Sequence, residues 1–208
     1  MKERNYALLY HPNLSISKVT PVLTLAGLLD FVNTLVASKT PDEYNDGEKN
    51  NVARLVRLNW MVDHIRYHPI MKPLVLCYRD SKLETITGDT RLQAIEVENR
   101  YSHTNAILSV PTDHLDEFPD WIYVQDQQHL ADLLKMDVND LIFFKHFKNW
   151  YDEELEWIEF ALPESEDHMH VEQERLDMFC HYLEQYPDTV FTREWLQQTI
   201  DWSDYAVN

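Results

Sequence analysis

Glycine is so scarce in this chain that one of its three copies, Gly88, becomes the strongest constraint on the fold. Only Gly27, Gly47 and Gly88 occur in 208 residues, where average usage of about 7% would supply roughly fifteen. Gly88 alone lies beyond residue 48. A glycine kept in so sparing a chain marks backbone that needs a conformation, or a close approach, that a side chain would forbid. It follows the alternating run Leu83-Glu84-Thr85-Ile86-Thr87 and opens Gly88-Asp89-Thr90-Arg91-Leu92-Gln93-Ala94, after which an amphipathic stretch runs to Arg100. Period-two alternation giving way to helical spacing predicts a strand-to-helix turn. The N–H groups that open a helix can hold an anion, so this turn is a candidate site.

The elements around it read as α/β (α+β), a small mixed sheet flanked by helices. Tyr6 to Tyr10 is expected to be a short edge strand. Thr20-Pro21 has the form of an N-cap followed by proline at the first helical position, with Val22, Leu25, Leu28, Leu29, Val32 and Leu35 at helical spacing behind it. Ser38 to Asn50 reads as a loop, and a second helix with Val52, Leu55, Leu58, Val62 and Ile65 closes at His68-Pro69. Leu74–Tyr78 and Leu83–Thr87 form a hairpin about Arg79-Asp80-Ser81-Lys82, and Ala106–Val110 is a further strand stopped by Pro111. Beyond it come a strand at Trp121–Val124, an Asp126-initiated helix, and helices over Ser165–Tyr186 and from Thr192. Asp140–Phe147 and Trp157–Leu162 fit strand or helix equally. The division expected is residues 1–112 with N-terminal helices, and residues 113–208 as an acidic, largely helical extension packed on them.

The order helix, Pro73-Leu74-Val75-Leu76 strand, turn, strand, Ile86-Thr87-Gly88-Asp89-Thr90-Arg91-Leu92-Gln93-Ala94, helix, strand resembles the ParB/sulfiredoxin-like superfamily over about residues 55–112. That superfamily carries Gly-x-x-Arg-x-x-Ala on a strand-to-helix turn that binds nucleotide phosphates. The resemblance implies that Gly88 allows close approach, that Arg91 offers a forked donor to phosphate oxygens, and that Ala94 packs as a small residue. Asp89 and Thr90 complete the turn with their N–H groups. Arg54 and Arg57, one turn apart on the preceding helix, could join Arg91 in a basic cleft. Thr90 stands where ParB partition proteins have a further arginine, and Asp89 where sulfiredoxins have their catalytic cysteine. A carboxylate cannot replace a thiolate nucleophile, so sulfiredoxin chemistry is excluded. Asp89 also places negative charge beside a phosphate, which a Mg²⁺ ion could bridge; a nucleotide with Mg²⁺ is one candidate, and the cofactor is otherwise not identified. The plainer alternative is structural: Asp89 or Thr90 caps the helix, with Thr90 and Gln93 spaced as a capping box.

Charge separates the two halves. Residues 1–110 carry a net +1 and residues 111–208 a net −19 of the total −18. The second half repels phosphate backbones, which argues against non-specific nucleic-acid binding through it and leaves a solvated surface or the dock of a basic protein partner. The longest apolar segment, Val19 to Ala37, is broken by Thr24, Asp30, Asn33 and Thr34, so no membrane span is expected. Cys77 and Cys180 lie far apart in apolar patterns. Free thiols in a reducing cytoplasm are the expectation. His64 and His68 stand one helical turn apart, a metal-compatible spacing, but Arg66 and Tyr67 are poor neighbours for a cation. His168-x-His170 lies in an acidic run, and Asp152, Glu153, Glu154 and Glu156 sit beside Trp150, Tyr151 and Trp157 without a spacing that assigns acid–base roles. A catalytic residue is not identified.

Overall fold

The computed structural model describes residues 6–68, 73–135, 137–138 and 166–206, with side chains from residue 173 onward in the last span. The ambiguous segments Asp140–Phe147 and Trp157–Leu162, the carboxylates near Trp157, and the His168 and His170 side chains lie outside the described residues. The chain is mixed α/β and falls into two compact units, which interleave along the sequence. One comprises Met1–Val22, Met71–Gly88 and Ser102–Glu164; the other comprises Leu23–Ile70, Asp89–Tyr101 and Ser165–Asn208. The division expected between residues 112 and 113 falls inside the first of these.

The first unit holds a six-stranded mixed sheet: β1 (Tyr6–Ser15), β2 (Val19–Thr20), β3 (Leu74–Arg79), β4 (Lys82–Thr87), β5 (His103–Pro111) and β6 (Ile122–Tyr123), in spatial order β2-β4-β3-β5-β1-β6. The expected hairpin is present. β3 and β4 pair antiparallel from Val75↔Thr87 to Arg79↔Lys82, and Asp80 and Ser81 turn the chain with φ of 50° and 60°. Two successive positive φ values match the right-handed twist of the flanking strands. β5 runs parallel to β3, as the all-apolar Ala106-Ile107-Leu108 run suits, since both strands are buried there. A short helix, here α4 (Gln127–Leu134), is started by Asp126, whose carboxylate accepts the His129 N–H at 2.8 Å. It sets Leu130 and Ala131 against Leu8, Tyr10, Val75 and Ile107.

Two expectations change at the N-terminus. β1 is ten residues long and is no edge: β5 pairs along it on one side, and β6 covers Leu9 and Tyr10 on the other. Thr20-Pro21 does not open a helix. Val19 and Thr20 pair parallel with Leu83 and Glu84, and the Val22 N–H donates to Thr85 Oγ1 at 3.0 Å. Burying Val19 and satisfying these groups outweighs a local capping preference. The helix begins later.

In the second unit, α1 (Leu25–Ser38) starts at Thr24, whose hydroxyl accepts the Gly27 N–H at 3.1 Å, and it buries Leu25, Leu28, Val32 and Leu35. α2 (Asp46–Tyr67) starts six residues before Val52 because Asn45 and Glu48 make a reciprocal capping box, at 3.1 and 2.8 Å. It ends at His68 as expected. α3 (Asp89–Glu98), α5 (Glu166–Gln185) and the one-turn α6 (Arg193–Leu196) complete the unit, with α2 packed on α3 and α5. Thr192 caps α6. The C-terminal segment is pinned by Asn59 on α2, a buried amide that donates to the Leu196 and Gln198 carbonyls and accepts from Trp202 Nε1. Aromatic stacking joins it, with Phe179 on Phe191 and Trp195 edge-on to Phe191 at 4.7 Å.

Candidate ligand site at the Gly88 turn

Gly88 links β4 to α3 with φ of 117°, a backbone that L side chains resist. The reason for the glycine is therefore conformational, as its scarcity suggested. α3 opens at Asp89 directly after it. Thr90 and Arg91 stand in the first turn, both half-buried.

Asp89 and Gln93, four residues apart, share one face of α3. Asp89 Oδ2 accepts the Leu23 N–H at 3.3 Å, and Gln93 Nε2 donates to the Leu23 carbonyl at 2.7 Å. Both main-chain groups of the residue before the α1 cap are thus held from α3. The Thr90–Gln93 capping box does not form: α3 already begins at Asp89, and the Gln93 side chain turns to Leu23 instead of accepting the Thr90 N–H. The clamp also changes the Mg²⁺ expectation, because one Asp89 oxygen is engaged with main chain. Gln93 Oε1 is buried without a hydrogen-bond partner among the described residues, so the clamp is formed at some desolvation cost.

Arg91 lies about 200° from Asp89 around the helix at 3.6 residues per turn, away from the clamp. Ala94 and Ile95, one turn on, flank it and are fully buried. Burial desolvates the Arg91 guanidinium and pushes its pKa down to about 10. Arg91 is still charged at neutral pH. Arg54 and Arg57 lie half-buried midway along α2, the helix packed on α3. The C-terminal ends of α2 and α3 are tied by Arg66, which pairs with Glu98 at 2.8 Å and Asp63 at 3.4 Å, by Tyr101 on the Ile65 carbonyl, and by Arg100 on the Arg66 carbonyl. Arg91, Arg54 and Arg57 therefore belong to one helical layer, on neighbouring helices. Arg66 is a structural ion pair, not part of the site.

Sequence reasoning missed a second cluster, in the sheet unit. Thr112–Glu117 forms a 3₁₀ turn that brings His114 Nδ1 within 2.5 Å of Glu117 Oε1, while the Tyr78 hydroxyl at the end of β3 donates to Glu117 Oε2. These bonds, His114 first, hold the Glu117 carboxyl below its ordinary range, and Glu117 in turn raises the Tyr78 hydroxyl. A chain of edge-to-face rings runs on from Tyr78 to Phe118 (5.0 Å), Trp121 (6.1 Å) and His11 (5.1 Å). Asp113, Asp116 and Asp120, near these rings in sequence, are exposed. The His114-x-x-Glu117 spacing was legible; its meeting with Tyr78, 39 residues earlier, was not.

Neither Cys77 nor Cys180 is joined in a disulfide. Burial, reinforced by Asp177, Glu184 and Asp42, pushes Cys180 up to about 11, which suits an inert side chain and not a nucleophile. Among the described residues no group of three or more His, Cys, Asp and Glu side chains is gathered to hold a metal, and no helix is long and apolar enough to cross a membrane. No protein-family model matches the chain, and no curated protein is significantly similar to it.

Proposed function

We propose that the Gly88–Arg91 turn binds the phosphate of a nucleotide or another phosphorylated ligand, as in the ParB/sulfiredoxin-like domains that the chain resembles. The observation that carries this reading is Arg91: a desolvated guanidinium that stays charged in the first turn of a helix, three residues after a positive-φ glycine. Helix-opening N–H groups and a forked cation favour the same ligand, an oxyanion. Arg91 holds the phosphate, the Asp89–Arg91 backbone lines the turn, and Arg54 and Arg57 supply positive potential. Asp89 serves the fold through Leu23.

A thermal-shift panel of nucleoside triphosphates and simple phosphate esters, with and without Mg²⁺, tests it. Ligand at 100 times its Kd stabilises the native state by about 2.7 kcal/mol, which is roughly 5–11 °C for a chain this size. Arg91→Ala should abolish that shift. A flat response to every phosphate compound refutes the reading.

The Tyr78–Trp121 surface supports a second one, a dock for a basic protein partner. Aromatic rings in a stretch of exposed carboxylates attract Lys and Arg side chains by charge and by cation–π contact. An Arg/Lys-rich peptide should quench Trp121 fluorescence, and about 0.5 M salt should weaken the effect by screening exposed charges. Salt-independent capture contradicts this version.

A further inference from the structure

The last turns of α2 present an unexplained face. Trp60, His64, Tyr67 and His68 are all exposed, Trp60 and Tyr67 at 64% and 74%. At 3.6 residues per turn the four positions fall within about 100° of arc. Their imidazoles do not splay into solvent. The His64 and His68 rings stack with centroids 4.6 Å apart and planes 28° from parallel. Among the described residues neither ring is used by the fold: Asn59, Val62 and Ile65 face the interior, and the two histidines contribute only a main-chain bond, His68 N–H to the His64 carbonyl at 3.0 Å.

We infer that His64 and His68 form a two-ligand clamp for a divalent transition-metal ion of the imidazole-binding kind, Cu²⁺, Ni²⁺ or Zn²⁺. Three features of the structure meet here. Metal–imidazole bonds of about 2.0–2.1 Å place two ligating nitrogens roughly 3 Å apart. Rings already side by side at 4.6 Å reach that spacing by turning about their side-chain torsions, without moving the helix. Second, the clamp sits at the C-terminus of α2, the negative end of the helix dipole, which favours a cation even though the His64, Ile65 and Arg66 carbonyls accept from His68, Tyr101 and Arg100. Third, the cation between the two histidines in sequence is held elsewhere. Arg66 lies about 160° from His64 around the helix, and its guanidinium is drawn onto Glu98, Asp63 and the Gln197 carbonyl. The objection raised by Arg66 thus disappears in three dimensions. Imidazole selects these ions over Mg²⁺ and Ca²⁺, which prefer oxygen. Water fills the remaining coordination positions, so the site is open and exchangeable, separate from the Arg91 turn and independent of the phosphate reading.

The test is calorimetric titration of untagged, full-length protein with Ni²⁺ and with Cu²⁺, repeated on His64→Gln and His68→Gln. Both residues are exposed, so the variants should fold, and circular dichroism checks this. The expected result is one ion per chain. Each substitution should weaken it about tenfold or more, since outer-shell partners alone are worth about 10–100-fold. Zn²⁺ titration by NMR should shift the ring nitrogens of His64 and His68 together. His168→Gln/His170→Gln should retain the site. Absence of binding, or binding that survives in both single variants, overturns the assignment. Loss of all binding in the His168/His170 variant does so too.

Discussion

Replacing Asn59 with alanine should unfold the C-terminal segment more readily than any single change on the surface of this protein. The side chain is 1% exposed and makes three hydrogen bonds: to the Leu196 carbonyl at 3.1 Å, to the Gln198 carbonyl at 2.9 Å, and from Trp202 Nε1 at 2.9 Å. Alanine leaves those three groups without their partner. A buried polar group so stranded costs about 1–3 kcal/mol. The Leu196 and Trp202 bonds are fully buried and the Gln198 bond partly so, so the loss sums to about 3–5 kcal/mol. That is a large share of the roughly 5–15 kcal/mol that holds a domain together. In melting temperature it is about 6–20 °C. Urea unfolding followed by circular dichroism and tryptophan fluorescence gives the free energy, provided the slope against denaturant is unchanged. Trp202→Phe keeps a six-membered ring but removes the donor and the pyrrole half of the buried indole, so it should cost about 1–3 kcal/mol for the stranded Asn59 oxygen plus a packing loss. The two changes should be non-additive by about 1 kcal/mol or more, because each removes the same bond. A loss under about 1 kcal/mol for Asn59→Ala, or strict additivity with Trp202→Phe, would refute the network as described.

Gly88→Ala forces a methyl group onto a φ of 117° and should cost about 1–3 kcal/mol, measured by urea unfolding; an unchanged midpoint would show that the turn tolerates side chains. The Tyr44 hydroxyl is buried without a hydrogen-bond partner among the described residues, so Tyr44→Phe should be neutral or stabilising by up to about 1 kcal/mol. Burial, then the Cys180 and Glu48 charges, raises this phenol from 10.0 to about 12, so the unfolded chain ionises first. Stability should therefore fall as pH rises from 10 through 12 in the parent protein, and this component should vanish in Tyr44→Phe. Cys180, with its thiol pushed up to about 11, should react with iodoacetamide at pH 8 about tenfold or more slowly than glutathione does; comparable rates would place the thiol in solvent.

The parts of the fold legible in the sequence are those set by neighbours along the chain. Leu74–Arg79 and Lys82–Thr87 alternate and meet across a two-residue turn, Gly88 marks the switch to α3, and His68-Pro69 stops α2. What stayed hidden depends on residues far apart. Thr20-Pro21 has the local form of a helix start, yet Val19 and Thr20 are claimed by Leu83 and Glu84 of β4. Asn45 and Glu48 lay within an expected loop because the polar first turn of α2 lacks an apolar stripe, although their capping box was readable from spacing alone. The interleaving of the two units could not be read at all, since composition changes near Pro111 while the packing boundaries fall at residues 22, 70, 88, 101 and 164.

The candidate site shows the same split within a single helix. The sequence puts Asp89 in the phosphate turn and Gln93 in a capping box with Thr90, yet both grip Leu23 from 66 and 70 residues away. Arg91, between them in sequence, faces the other side of α3 beside Ala94 and Ile95. One seven-residue motif therefore serves two roles on opposite faces, a clamp that fixes where α1 begins and a half-buried charged group. The two roles separate experimentally. Asp89→Ala should lower stability by about 1–2 kcal/mol through the lost Leu23 bond while leaving any phosphate-dependent shift in place, and Arg91→Ala should remove the shift. If Asp89→Ala instead abolishes the shift in a protein that still melts cooperatively, the carboxylate belongs to the ligand, and the division of labour across α3 is wrong.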